Sequence, residues 1–238
     1  MTRIGINIDH VATIRNARGE DHPNVYQTAK FVSKCKVDSI TIHLREDRRH
    51  INENDLKKIC KNRKTKINLE IAANFAMLKI ALKHKPDFVC LVPEKRNEVT
   101  TEGGLNLVKF ENKLKKIIRK LNKSKIRTSL FINPNLRDVR LSKRINAKSV
   151  ELHTGKLSRL VKQKKSYLKE LDKIKNCAKV AKKLKLEVHA GHGLDYKTTK
   201  ILKRIKEIEE YNIGHFIIGE SIFFGLKKII KNFKKIIN

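Results

Sequence analysis

The chain has no tryptophan, and it contains only 4 prolines, 10 glycines and 4 cysteines among 238 residues. No stretch rich in proline, glycine or serine divides it, so we predict one domain over residues 1–238. No apolar run approaches the roughly 18 residues of a membrane span. None of the cysteines forms a CxxC pair, which argues against a zinc site and a dithiol motif.

The N-terminal segment lacks the apolar core of a signal peptide, because Asn7, Asp9 and His10 interrupt it. Without a secretory signal, the four cysteines are expected to be reduced thiols. We therefore expect a cytoplasmic protein that has no membrane partner.

Acidic residues are few: 24 stand against 56 basic residues, giving a net charge of +32. Such a charge can indicate nucleic-acid binding. However, 41 of the basic residues are lysines spread over predicted helices, and lysine, isoleucine and asparagine, all encoded by AT-rich codons, fill 88 positions. The absence of tryptophan also leaves few side chains for base stacking. Solvated charge is the favoured interpretation, with no specific nucleic-acid partner; a basic RNA-binding protein remains the alternative.

Short β-branched runs alternate with longer segments of helical periodicity. The predicted strands are Arg3–Ile8, Ser39–Ile42, Lys66–Leu69, Asp87–Val92, Arg127–Ile132, Ser149–Leu152, Glu187–His189 and Asn212–Ile218. The predicted helices include Val25–Cys35, Asp55–Cys60, Phe75–Lys83, Leu105–Leu121, Ser166–Leu184 and Phe223–Ile236. Eight such repeats predict a (β/α)₈ barrel. An open, doubly wound sheet fits less well, because no GxGxxG follows the first strand.

Ionisable side chains gather where the predicted strands end, which is the face that carries the chemistry in such barrels. In chain order these positions hold Asn7, Asp9, His10, His43, Arg45, His50, Glu70, Glu94, Thr100, Thr101, Asn133, Glu151, His153, Gly191, His192 and Gly193. Several histidines converging with carboxylates and an arginine favour an acid–base site.

Two other enzyme classes remain alternatives. A class I aldolase needs a Schiff-base lysine at a strand end, yet no lysine ends one of the eight runs. A metal-dependent sugar-phosphate epimerase could use ligands from among Asp9, His43, Glu70 and His192. The same four side chains serve acid–base chemistry without a metal, which is the preferred interpretation.

Six segments closely resemble the pyridoxine 5′-phosphate synthase family and follow its order along the chain. They are Asn7–Gly19, Ile42–Ile51, Val92–Gly104, Glu151–Gly155, Ala190–Leu194 and Asn212–His215. The resemblance covers nearly the whole chain and implies a (β/α)₈ barrel with extra helices, in agreement with the strand count. It also implies the condensation of 3-amino-2-oxopropyl phosphate with 1-deoxy-D-xylulose 5-phosphate, without a cofactor or a metal.

The resemblance further implies roles for individual residues. His43 and Glu70 would be general bases, His192 a proton donor, and Glu151 the group that stabilises a charged intermediate. The deoxyxylulose phosphate would be held by Asp9, His10, Arg45, His50 and Thr100. The amino ketone phosphate would be held by Asn7, Arg18, Gly193, Gly214 and His215.

The family is also expected to be a homo-oligomer, an octamer built from dimers, in which Arg18 reaches a neighbouring subunit's site. Within one chain, Arg45 can offer a bidentate fork to a phosphate. The turn Gly219–Ser221 is predicted to end the last strand and to form a phosphate site at the start of the last helix. Arg15, Arg48 and Arg49 are predicted to form structural ion pairs.

Overall fold

A closed parallel barrel forms the centre of the protein. The computed structural model describes residues 1–94 and 103–238, in which eight strands follow one another round the barrel in chain order. The strands are Arg3–Asn7 (β1), Ser39–His43 (β2), Lys66–Ala72 (β3), Phe88–Val92 (β4), Arg127–Ile132 (β5), Ser149–His153 (β6), Glu187–Gly191 (β7) and Glu210–Ile213 (β8). Pairing of β1 with β8 closes the barrel, which confirms the predicted fold class.

Eleven helices surround the barrel in the described part of the chain. They are Asp9–Arg18 (α1), Val25–Lys34 (α2), Glu53–Lys61 (α3), Phe75–His84 (α4), Leu107–Lys123 (α5), Leu136–Arg144 (α6), Gly155–Lys162 (α7), Leu168–Lys183 (α8), Tyr196–Leu202 (α9), His215–Phe224 (α10) and Leu226–Ile237 (α11). The number exceeds the eight of a minimal barrel, in agreement with the expected extra helices.

Asparagine side chains begin five consecutive helices, α2 to α6. Asn24, Asn52, Asn74, Asn106 and Asn135 each accept a hydrogen bond from a backbone N–H in the first turn of the helix that follows. Such caps satisfy backbone donors that have no partner within the helix, and each stabilises it by about 1 kcal/mol. The caps therefore fix where the chain leaves the mouth of the barrel and turns into the outer helical layer.

The apolar core lies between the strands and the surrounding helices, whereas the interior of the barrel is polar. Ile4 and Ile6 of β1 are fully buried in the outer core. The intervening Gly5 faces inward, where a side chain would meet Asn212, Ser39 and Glu210. Barrel interiors are usually filled by branched apolar residues. Here the interior instead brings ionisable groups together beneath the mouth.

The prediction for the last strand was wrong. β8 ends at Ile213, and the residues predicted to continue it form α10, so that Gly219–Ser221 lies inside a helix. A short apolar run with β-branched residues is compatible with a strand and with a buried helix, and periodicity alone does not separate them. The loop between β8 and the next helix is consequently at Gly214, five residues earlier than the predicted phosphate site.

Two smaller differences concern site residues. Glu70 does not follow the third strand but lies within it, because β3 continues to Ala72. The sequence Asn-Ala-Arg-Gly predicts a turn at Arg18, but Arg18 is the last residue of α1, and Gly19 ends the helix with a left-handed φ of 69°. The predicted ion pairs of the other three arginines are present, joining Arg15 to Asp55, Arg48 to Glu53 and Arg49 to Asp47.

Candidate active site

His43, the last residue of β2, lies between two glutamates. Its Nδ1 is 3.7 Å from Glu70 Oε2, and its Nε2 is 2.9 Å from Glu94 Oε1. The histidine is only 4% exposed. Both ring nitrogens therefore face carboxyl groups, an arrangement in which one proton can be held by the imidazole or passed to a neighbour.

The two glutamates have opposite pKa shifts. Burial, followed by the charges of Glu151, Asp9 and Glu94, raises the pKa of Glu70 well above its ordinary value. Burial acts in the same direction on Glu94, but the hydrogen bond and charge of His43, together with the N–H of Glu46 and the charge of Arg45, outweigh it and lower the pKa of Glu94. A carboxyl group with a raised pKa beside an ionised one is the usual pattern of a proton-transfer site.

Asp9 joins the ends of the first two strands. One of its oxygens accepts a hydrogen bond from the backbone N–H of His43 at 2.8 Å, and the other accepts one from the Asn7 side chain at 2.7 Å. The ring of His50 lies 5.8 Å from that of His43, and its Nδ1 accepts the N–H of Ile51. The pKa of His50 is lowered, chiefly by burial, and a neutral imidazole is therefore favoured.

Asp9, His43 and His50 place one ligand atom each within 4.8 Å of one another, which is close enough for a divalent cation. However, these side chains are already engaged by protein groups: both Asp9 oxygens accept hydrogen bonds, and His43 Nε2 contacts Glu94. Hydrogen bonds from within the protein leave few lone pairs for a metal, so the donor set fits acid–base chemistry better.

Glu151 lies on the opposite wall, on β6, and is 2% exposed. Its Oε2 accepts a hydrogen bond of 2.7 Å from the side chain of Asn212 on β8. Burial raises the pKa of Glu151 to about 7, whereas His189 and the Asn212 hydrogen bond act to lower it. The group can therefore carry or lose a charge at neutral pH.

His192 follows β7 in a strained conformation. Its φ of 77° lies in the left-handed region, which histidine adopts uncommonly, and Gly193 follows with a φ of 75°. The hydroxyl oxygen of Thr154 lies 2.8 and 2.7 Å from the carbonyl oxygens of Gly191 and His192, so its one O–H is shared between them and holds this turn. Such strain is retained where the surrounding structure fixes it, commonly at functional sites.

The ring of His153 lies 4.8 Å from the ring of His192. Burial, and then the charge of His192, lowers the pKa of His153 to about 4, so His153 is neutral at physiological pH. The pair gives the β6–β7 side of the mouth two imidazoles beside Glu151.

A third group of side chains lies where β1 and β8 end. The rings of His10 and His215 meet edge to face with centroids 4.9 Å apart. Burial and the neighbouring His215 lower the pKa of His10. Gly214 begins α10 without a side-chain cap, so the first N–H groups of that helix are available to an anion.

Most of the predicted site residues lie at this one mouth. Arg45, 3% exposed, is in the loop after β2, with its Nε 3.8 Å from Asp47. Arg18 differs: its side chain is 79% exposed and 3.6 Å from Glu20. Thr100 lies outside the described residues. The roles that the resemblance implies for these residues stay predictions.

Three neighbours of the site are absent from the predicted set of site residues: Glu94, His153 and Asn212. Glu94 and His153 stand at strand ends, and that position is the signal by which the sequence could have identified them. Asn212 stands inside the barrel at a position where sequence alone gives no sign of a carboxylate partner. It is recognisable only once the register of β6, β7 and β8 is known.

A closed (β/α)₈ barrel with a mouth of buried histidines and carboxyl groups defines an enzyme of the acid–base type. The chain belongs to the family described as pyridoxal phosphate biosynthesis protein PdxJ, whose profile matches residues 4–238. This confirms the resemblance drawn from the six sequence segments.

The chain is also similar over nearly its whole length to proteins named pyridoxine 5′-phosphate synthase. The chain is 62% identical over 238 residues to pyridoxine 5′-phosphate synthase of Pelagibacter ubique, covering 100% of both chains. It is 50% identical over 232 residues to the enzyme of the same name from Zymomonas mobilis, covering 98% of this chain and 90% of the other.

Among solved structures, the barrel is similar to 3-keto-L-gulonate-6-phosphate decarboxylase from Vibrio cholerae. The TM-score is 0.65 at 13% identity, over 100% of this chain and 98% of that one. It is also similar to phosphoribosylanthranilate isomerase from Pyrococcus furiosus, with a TM-score of 0.61 at 13% identity, over 100% and 98% of the two chains. At such identity the likeness supports the fold alone.

Proposed function

We propose that this site joins 3-amino-2-oxopropyl phosphate to 1-deoxy-D-xylulose 5-phosphate, closing the ring of pyridoxine 5′-phosphate and releasing inorganic phosphate and water. The observation that carries the proposal is the 62% identity over the whole chain to an enzyme named for this product. The arrangement of proton-transfer groups at the mouth supports it.

The reaction consists of proton transfers, in imine formation, enolisation, loss of phosphate and dehydration. In our proposal His43 and Glu70 take protons on one wall of the mouth. Their contact at 3.7 Å and the raised pKa of Glu70 suit a shared proton. Each well-placed acid or base of this kind is worth about 10²–10⁴ in rate.

His192 and Glu151 act on the other wall in this proposal. His192 returns a proton to a departing oxygen, and the carboxylate of Glu151 balances positive charge on an intermediate. A carboxylate in a dry site interacts with such a charge more strongly than it would in water. Holding two substrates together can contribute roughly 7–11 kcal/mol more.

The proposed substrates each carry a phosphate, and cationic or N–H donors lie near the mouth for both. Asp9, His10, Arg45, His50 and Thr100 are assigned to the deoxyxylulose phosphate. For the amino ketone phosphate we assign Asn7, Arg18, Gly193, Gly214 and His215. The uncapped start of α10 takes the place of the predicted site at Gly219–Ser221.

The proposal is tested by mixing both substrates with the purified protein and following the ultraviolet absorbance of the pyridine product. Omitting either substrate must abolish the signal. Loss of activity on addition of EDTA would indicate a metal-dependent reaction. An increase in the mass of the protein after borohydride treatment with substrate would indicate a Schiff base on lysine. Absence of product with active substrates refutes the proposal.

We further propose that the protein acts as a homo-oligomer and that α10 lies in a contact between two copies. Of the eleven described helices, α10 alone contains no lysine or arginine, although the chain has 56 of them. Ile222, Phe223 and Phe224 at its end are 71%, 78% and 53% exposed. A second copy fits this patch because it can bury apolar surface on a helix that carries no lysine or arginine of its own.

Helix α1, which ends at the exposed Arg18, packs against α10. A copy docked on α10 would lie beside α1, and in our proposal Arg18 serves the neighbouring site across this contact. An octamer built from dimers is the assembly that we propose.

We predict that Phe223→Glu lowers the mass of the assembly, because a charge in an apolar contact cannot be paired there. Light scattering after size exclusion measures the mass. Leu168→Glu is the matched control, since Leu168 is 62% exposed on α8 and its replacement is expected to leave the mass unchanged. An unchanged mass in Phe223→Glu contradicts the assignment of this surface.

A cytoplasmic location is part of the proposal. All four cysteines are free thiols, and Cys60, Cys90 and Cys177 are buried, which suits a reducing compartment. In the described residues, no helix combines the length and the apolar character needed to cross a membrane.

A further inference from the structure

Asn212 holds the carboxyl group of Glu151 inside the barrel. The two side chains are 5% and 2% exposed, and the amide Nδ2 donates to Oε2 at 2.7 Å. β7 lies between their strands, with Gly191 in register with Asn212. The hydrogen bond between Asn212 and Glu151 therefore crosses β7, which has no side chain at the level of Asn212 because Gly191 stands there.

Two glycines make room for this pair. A Cβ at Gly191 would overlap with Glu151 Oε1, and a Cβ at Gly5 would overlap with Asn212 Oδ1. Alanine at either position would push one partner of the hydrogen bond away. The orientation of the amide is fixed chemically as well, because an ionised carboxylate only accepts hydrogen bonds and so selects the NH₂ end.

We propose that Asn212 is a positioning residue, whose amide fixes the Glu151 carboxylate in place and keeps it ionised for the charge-stabilising role. The inference rests on the role proposed above for Glu151. Asn212 lies within one of the six resembling segments, but the resemblance assigns it no function.

The surroundings of Glu151 explain why its carboxylate needs a hydrogen-bond donor to stay ionised. The ionisable groups that face it are Glu70 on β3, Cys90 on β4, His189 on β7 and Glu210 on β8. Burial raises the pKa of Glu151 to about 7, and Glu210 acts in the same direction. The hydrogen bond from Asn212, together with His189, favours the charged form. Loss of the amide must therefore move the ionisation to higher pH.

We expect Asn212→Leu, which keeps the volume and removes the donor, to move the acid limb of the kcat profile upward by about one pH unit or more. Below pH 7 the rate then falls ~10-fold or more, and it recovers as the pH rises. KM is expected to change little. A purely structural defect would instead lower kcat equally at every pH.

The titration of Glu151 can be followed directly, by carboxyl ¹³C NMR of glutamate-labelled protein without substrates. The Glu151→Gln variant assigns the resonance. This measurement does not depend on turnover, so a shifted titration in a protein that makes no product refutes the proposed function and still supports the control of Glu151 by Asn212.

Asn68→Leu is the matched control, because Asn68 is also a buried asparagine of the barrel interior but donates to Thr41 Oγ1 at 3.2 Å. We expect it to cost stability without moving the acid limb. If Asn212→Leu does not fold, Asn212→Ser, which is smaller and too short to reach Glu151 in the same way, must show the upward shift. An unchanged Glu151 titration in the Asn212 variant overturns the inference.

Discussion

Replacing His43 by asparagine is expected to lower kcat by about 10²–10⁴-fold while the barrel stays folded. The side chain contacts Glu70 and Glu94 through its two ring nitrogens, so it is the group through which both carboxyl groups can exchange a proton. Asparagine preserves part of the volume and can still hydrogen-bond to one glutamate. It cannot take up a proton at neutral pH, and catalysis is lost for that reason.

The measurement is steady-state turnover of both substrates, together with circular dichroism and thermal unfolding. His84→Asn is a suitable control, because His84 is a half-buried histidine at the end of α4. Its kcat is expected to match that of the unchanged protein. Normal turnover in His43→Asn would remove His43 from the mechanism, whatever the outcome at Glu70.

The fold was largely predictable because a barrel repeats one local pattern eight times. A strand of the barrel is predicted from a run such as Arg127–Ile132, whose bounds agree with those of β5. The error at Asn212–Ile218 has the same origin: a short apolar segment carries too little periodicity to distinguish a strand from the start of a helix. Local pattern thus determines how many strands there are, and tertiary packing determines where an apolar strand ends.

The candidate site was predictable to the extent that it depends on strand ends. His43 and Glu151 could be placed at the mouth in this way, since parallel strands present their carboxyl ends at one face. Contacts across the barrel could not be predicted. The approach of Glu94 to His43, and that of Asn212 to Glu151, depend on register and on loop paths that local sequence does not encode.

The second large effect is expected at a buried ion pair behind the site. Arg15 of α1 and Asp55 of α3 are 8% and 7% exposed and form two hydrogen bonds, of 2.7 and 2.9 Å. Arg15 also donates to the carbonyl of His50 at 3.2 Å. The pair therefore ties the loop that carries Arg45 and His50 to the helix that carries His10.

Asp55→Ala is expected to lower the free energy of unfolding by about 3–5 kcal/mol, because it leaves the Arg15 charge buried without its partner. Asp55 also closes the capping box of α3 with Asn52, which adds about 1 kcal/mol. Denaturant unfolding measures the loss. Glu111→Ala is the control: its partner Arg144 is 68% exposed, and breaking an ion pair of this kind changes stability by about 1 kcal/mol or less.

A double variant separates the cost of a stranded charge from the value of the pair itself. Arg15→Met with Asp55→Leu removes both charges and fills the space with apolar groups, so most of the stability lost in Asp55→Ala is expected to return. The hydrogen bond from Arg15 to the His50 carbonyl is lost in the double variant, and we therefore expect its KM to be raised even where stability is recovered. If the double variant is as unstable as Asp55→Ala, the loss comes from the capping box and the packing of α3, and the buried charge is not its cause.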